Sequence, residues 1–124
     1  MKKKIRMINI DENTYVYVLK DSYQSEQWQI LLKVTLQNQK NLALVYHFAT
    51  WDDAIVGCPL LTGIELYHSK EQKKILYNLN HPIRVRELIE YGLYHKWTGE
   101  QTVEYTDGLN VLKHMGYDSD MLRP

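Results

Sequence analysis

The chain has 124 residues and a mass of 14.8 kDa, which at roughly 150 residues per domain leaves room for one core and no second. Fifteen Lys and Arg balance fifteen Asp and Glu, so no overall field draws the protein to nucleic acid or to an anionic membrane. Hydrophobic residues at 44% and charged ones at 24% exclude a disordered chain. The single Cys58 excludes an intramolecular disulfide and suits a reducing compartment, so a cytoplasmic location is expected.

The basic opening, Met1 to Arg6, runs into Asn9, Asp11, Glu12 and Asn13 instead of the apolar segment of a signal peptide. Lys2 to Lys4 read as a solvated leader to the first strand. Ile5 to Ile10 and Thr14 to Leu19 are β-branched and aromatic runs separated by Asp11-Glu12-Asn13, the signature of a hairpin. Asp21 to Gln27 has no period and reads as a polar loop. From Trp28 to Leu36 apolar and mostly polar residues alternate, and alternation resumes from Leu42 to Ala49 after the turn residues Asn38-Gln39-Lys40-Asn41. A four-stranded antiparallel meander follows.

Thr50-Trp51-Asp52-Asp53 reads as a helix start, with Thr50 as cap and the two carboxylates against the dipole, and Gly57 and Pro59 keep that helix to a turn or two. Leu60 to Tyr67 suits a fifth strand. Ser69 to Leu79 supports two assignments: a helix opened by a Ser69/Gln72 capping box, or a hairpin pairing Ile64 to His68 with Lys74 to Leu79. The hairpin is slightly preferred. From Pro82 to about Trp97 a helix is predicted, with Val85, Leu88, Ile89 and Gly92 as its apolar stripe. Glu100 to Tyr105 extends the next helix backwards or forms a separate turn. That last helix runs from an Asp107 cap to a Gly116 stop, with Leu109, Leu112 and Met115 facing inward. The predicted fold is a single α+β domain over residues 1–124: an N-terminal antiparallel sheet of four to six strands with two C-terminal helices packed on one face.

Motifs for catalysis are thin. There is no Gly-x-Gly-x-x-Gly, no Gly-Lys-Ser or Gly-Lys-Thr, and no His-Glu-x-x-His. His47, His68, His81, His95 and His114 are scattered. Folding could gather His47, His68 and His81, but a metal site is not expected, and neither is a cofactor. Asp52 and Asp53 are explained as dipole partners, and Glu87 and Glu90 as the solvated face of a helix. Cys58 reads as a small buried hydrophobe, with a Cys58-dependent enzyme as a third-ranked alternative.

The unusual feature of the composition is aromatic, ten Tyr and three Trp against one Phe. Tyr15, Tyr17 and Tyr46 fall on core-facing strand positions. Tyr91 and Tyr94, one helical turn apart and off the apolar stripe, support two readings, an exposed ridge or a cover for the edges of a small core, and Trp97 accompanies them. Rings with a polar handle are enriched at protein interfaces. The expected function is therefore non-enzymatic binding of another protein, or of a second copy, through Tyr91, Tyr94 and Trp97. The alternative is a nucleic-acid-associated regulator using Lys70, Lys73, Lys74, Arg84 and Arg86. No membrane role is expected, since no stretch approaches ~18 consecutive apolar residues.

Overall fold

The structure is a computed structural model and describes residues 3–39 and 41–124, so Lys2 of the basic leader and Lys40 of the third turn lie outside the described residues. Strands β1 (Lys3–Ile10), β2 (Asn13–Gln24), β3 (Gln27–Leu36) and β4 (Leu44–Trp51) form the expected antiparallel meander. Lys3 and Lys4 already belong to β1, so the leader is shorter than its charge pattern implied. Register explains the core: Tyr15, Tyr17 and Leu19 face Leu36, Val34 and Leu32, which continue across to Leu44 and Tyr46.

The polar stretch 21–27 is not a loop. β2 and β3 stay paired until only Ser25 and Glu26 remain as the turn, both with positive φ (53° and 64°). Such a two-residue turn matches the twist of a hairpin. A pair of rings, Tyr23 and Trp28 at 5.2 Å, holds this end where hydrophobic alternation has stopped.

No helix starts at Thr50. Thr50 stays in β4, buried, and its hydroxyl donates to Leu122 O at 2.7 Å, so the side chain that would cap a helix is consumed by the C-terminal segment. The short helix α1 (Pro59–Thr62) begins later, at Pro59, which starts the helix instead of stopping it. Segment 69–79 resolves as the hairpin, β5 (Ile64–His68) against β6 (Lys73–Tyr77), a separate two-stranded sheet.

Helix α2 (Pro82–Tyr94) buries Val85, Leu88, Ile89 and Gly92, the stripe its spacing predicted. It lies so close to β4 that a Cβ on Gly92 would meet Leu44 Cδ2 at 2.4 Å, while Tyr46 Oη donates to Leu88 O at 2.6 Å. Residues 103–105 are neither helix nor turn. They form β7 (Val103–Tyr105), which pairs parallel to β4 and completes the sheet order β1-β2-β3-β4-β7. Helix α3 (Gly108–His114) has the expected Asp107 cap, accepting from Asn110 N at 3.2 Å, and ends at Gly116 with φ 111°. Its Gly108 rests against Phe48, on the face that carries Leu44 and Tyr46. Both long helices thus cover one face of the sheet. On the other, Ile5 and Met7 stay exposed. No helix among the described residues is long and apolar enough to cross a membrane.

Candidate functional site

Where α2 passes the β5–β6 hairpin and the end of α3, an open groove of about 630 Å³ remains. The hairpin contributes His68 and Lys70. α2 contributes Glu87, Glu90, Tyr91 and Tyr94, and the far wall is His114, Met115 and Tyr117. A smaller hollow continues past Tyr91 and His114 toward Glu104, Tyr105 and Asp107.

The groove rests on a polar knot. Tyr117 Oη donates to Glu87 Oε1 at 2.7 Å and accepts from Arg84 Nη1 at 2.6 Å, and the same Arg84 nitrogen reaches Glu87 Oε2 at 2.9 Å. Burial, reinforced by the Glu87 carboxylate, pushes the Tyr117 hydroxyl well above its ordinary range, so it stays a phenol near neutrality. His68 stands edge-on to Tyr117 at 4.7 Å and its Nδ1 accepts from Glu71 N at 3.1 Å. That bond places the proton of the neutral ring on Nε2. Gly116 is required here: a Cβ on it would meet His68 Cε1 at 2.8 Å, and its φ of 111° is one that side chains rarely adopt.

On the rim, Tyr91 is half-buried. It stacks on His95 at 4.1 Å and meets Tyr105 edge-on at 5.7 Å, while His95 Nδ1 bonds Tyr91 O at 2.8 Å. Tyr94 is 82% exposed. Trp97, expected beside them, is not on the surface. It is 1% exposed, packs on Tyr15 with centroids 5.8 Å apart, and donates its indole proton to Gln101 O at 2.9 Å. The helix has ended at Tyr94 and the chain reverses through Lys96 (φ 84°), so helical spacing no longer places residue 97.

The basic residues do not gather into one free patch. Lys70, Lys73 and Lys74 are exposed along the hairpin and its turn, and only Lys70 reaches the groove. Arg84 is committed to Glu87 and Tyr117, and Arg86 lies 3.6 Å from Glu90. Glu87 is therefore part of the knot and not simply a solvated face. The Arg84/Glu87 spacing is visible in the sequence. The contribution of Tyr117, 30 residues away, is not.

The remaining candidates separate. Cys58 is buried just before α1, and burial pushes its thiol up to about 11, so it carries little thiolate near neutrality. Asp52 and Asp53 are not helix-dipole partners: Asp52 accepts from Trp28 Nε1 at 2.8 Å, and Asp53 Oδ1 accepts from Ile55 N and Val56 N. His47 pairs with Glu104 on the open face of the sheet, His68 lies in the groove and His81 precedes α2, so these three do not converge. Among the described residues no group of three His, Cys, Asp or Glu is placed to hold a metal ion. The groove thus offers aromatic faces, one thioether, one lysine, two carboxylates and imidazole nitrogens, a lining suited to holding a ligand. Compared with known proteins, the chain matches no protein family, no curated protein and no solved structure.

Proposed function

We propose that the protein is a non-enzymatic binding protein that takes a segment of another protein into the groove between α2, the β5–β6 hairpin and α3. The observation that carries this reading is Tyr94, 82% exposed at the last position of α2, at the mouth of a preformed groove. A Tyr ring brings large contact area at a small loss of side-chain freedom. A partner side chain lying between Tyr94, Tyr91 and Met115 would be apolar on its body, with Lys70, His95 and His114 available to its polar atoms. A buried Cys58 with no second cysteine suits a cytoplasmic setting.

The test is photo-crosslinking from position 94 in the source cell, followed by purification of the captured protein and titration against variants. Tyr94→Ala and Tyr91→Ala should weaken it at least tenfold, on the order of 1.4 kcal/mol, while Leu76→Ser on the hairpin leaves it unchanged. Affinity indifferent to both tyrosines overturns the proposal. Capture of a second copy, with sedimentation showing dimers lost in Tyr94→Ala, would make the partner the chain itself. The nucleic-acid alternative keeps one supporting observation, three exposed lysines on one hairpin. It requires salt-dependent binding that charge reversal of Lys70, Lys73 and Lys74 removes.

A further inference from the structure

The loop that leaves β4 lies at a different site and has its own character. Asp53 N donates to Gly57 O at 2.8 Å and Gly57 N returns to Asp53 O at 2.9 Å, closing the loop on itself. Inside it, Asp53 Oδ1 accepts from Ile55 N at 2.8 Å and from Val56 N at 3.0 Å. Gly57, at φ 80° with open space around it, permits the closure. The Trp28 indole ties the stem to β3 through Asp52 at 2.8 Å. All of this order supports a tip that the core does not use: Ile55 is 93% exposed and Val56 beside it is half exposed. Single exposed apolar residues are common. A pair of them held up by a closed, internally bonded loop is different, because the ordering that docking normally costs is already present in the free protein.

The surroundings say what kind of surface could receive this tip. Tyr23 and Met121 are exposed at the same end of the sheet, Tyr23 against Trp28 and Met121 through its carbonyl on Trp51 Nε1 at 2.7 Å. The charges nearest the tip on these strands and turns are Asp21, Glu26, Asp52 and Asp53, with Lys20 one residue further along β2; neither 21–32 nor 41–69 contains a Lys or Arg. The cations approaching from the C-terminal end, Lys113 and Arg123, are engaged by Asp120 and Asp107. An acidic rim repels anionic lipid and nucleic acid and favours a basic one. We propose that the Asp53–Gly57 loop is a docking knob whose Ile55 and Val56 enter an apolar pocket rimmed by Lys or Arg on a partner protein.

The experiment places a photo-reactive residue at position 55 in the source cell, with position 76 as control, and purifies the protein captured only from 55. That protein is titrated against wild type, Ile55→Ser and Glu26→Gln. Ile55→Ser should weaken binding about ten- to a hundredfold, as expected for losing one buried aliphatic side chain, without moving the thermal midpoint. Glu26→Gln should weaken it less and flatten its salt dependence. The proposal is overturned if nothing is captured from position 55, if the product is another copy of this chain, or if the captured protein binds Ile55→Ser as tightly as wild type.

Discussion

Two sets of tyrosines meet α2 under opposite conditions. Tyr46, Tyr77 and Tyr117 lie beneath it or beside its base, almost without exposure, and their rings are locked edge to edge or bonded through oxygen. Tyr91 and Tyr94, on the outer flank of the same helix, have ring neighbours but no side-chain hydroxyl partner among the described residues. The inner set is specified by partners far away in sequence, Leu88 for Tyr46 and Glu87 for Tyr117. The outer set is placed mainly by helical spacing, with Tyr105 as the distant neighbour of Tyr91. Similar chemistry therefore serves cohesion on one side and stays at the surface on the other, and the difference is how far each ring is buried.

Trp97, expected with the outer set, belongs to the inner one, and its loss should have the largest effect. Trp97→Ala should cost about 3–5 kcal/mol, read as a fall in the urea midpoint; a loss below about 0.5 kcal/mol would mean that the ring is not core.

Within the inner set, two conservative changes should differ in sign. Tyr46→Phe removes a buried bond to Leu88 O and should destabilise by about 1 kcal/mol. Tyr77→Phe removes a buried hydroxyl with no hydrogen-bond partner among the described residues, and should leave stability unchanged or raise it by about 1 kcal/mol. Chemical denaturation of both variants checks this, and equal losses would erase the distinction.

Alkaline titration sharpens the same contrast. Burial raises the hydroxyls of Tyr46, Tyr77 and Tyr117 above their ordinary value of 10.0. Groups whose folded value is raised stabilise the fold below the unfolded value, and that contribution is lost as pH climbs past it. Ultraviolet titration should therefore show these three ionising only as the protein unfolds, above pH 10.0. Smooth titration of all ten tyrosines with the fold intact would contradict it.

The smallest effect lies at the far end of the molecule. The amides of Val56 and Ile55 hold the Asp53 carboxyl below its ordinary 3.8. A depressed acid supports its structure above the unfolded value and loses that support as pH falls through the lower, folded one. Amide shifts of Ile55 and Val56 should move in that acid window while the core resonances stay in place.

What could be read from the chain alone follows the range of the interactions. Alternation on β3 and β4 and the Val85, Leu88, Ile89, Gly92 stripe on α2 are local periodicities, and they reappear in the structure. The Asp107 cap and Gly116 stop are local too. Thr50 misled because a capping residue and a strand residue look alike until the carbonyl of Leu122 arrives to take its hydroxyl. β7 escaped notice because three residues pairing parallel to β4 have no period to display. Of the groove, the exposure of Tyr94 could be anticipated. His68 and Tyr117 could not, since they meet only through the bridge between the hairpin and the residue after Gly116.

Tyr94, 82% exposed, should be dispensable for folding and needed for binding under the proposed function. The most direct measurement pairs the thermal midpoint of Tyr94→Ala with its affinity for the protein captured from position 94. A stability change within about 0.5 kcal/mol, alongside binding weakened at least tenfold, is the expected result; unchanged affinity, or a large fall in the midpoint, would contradict it.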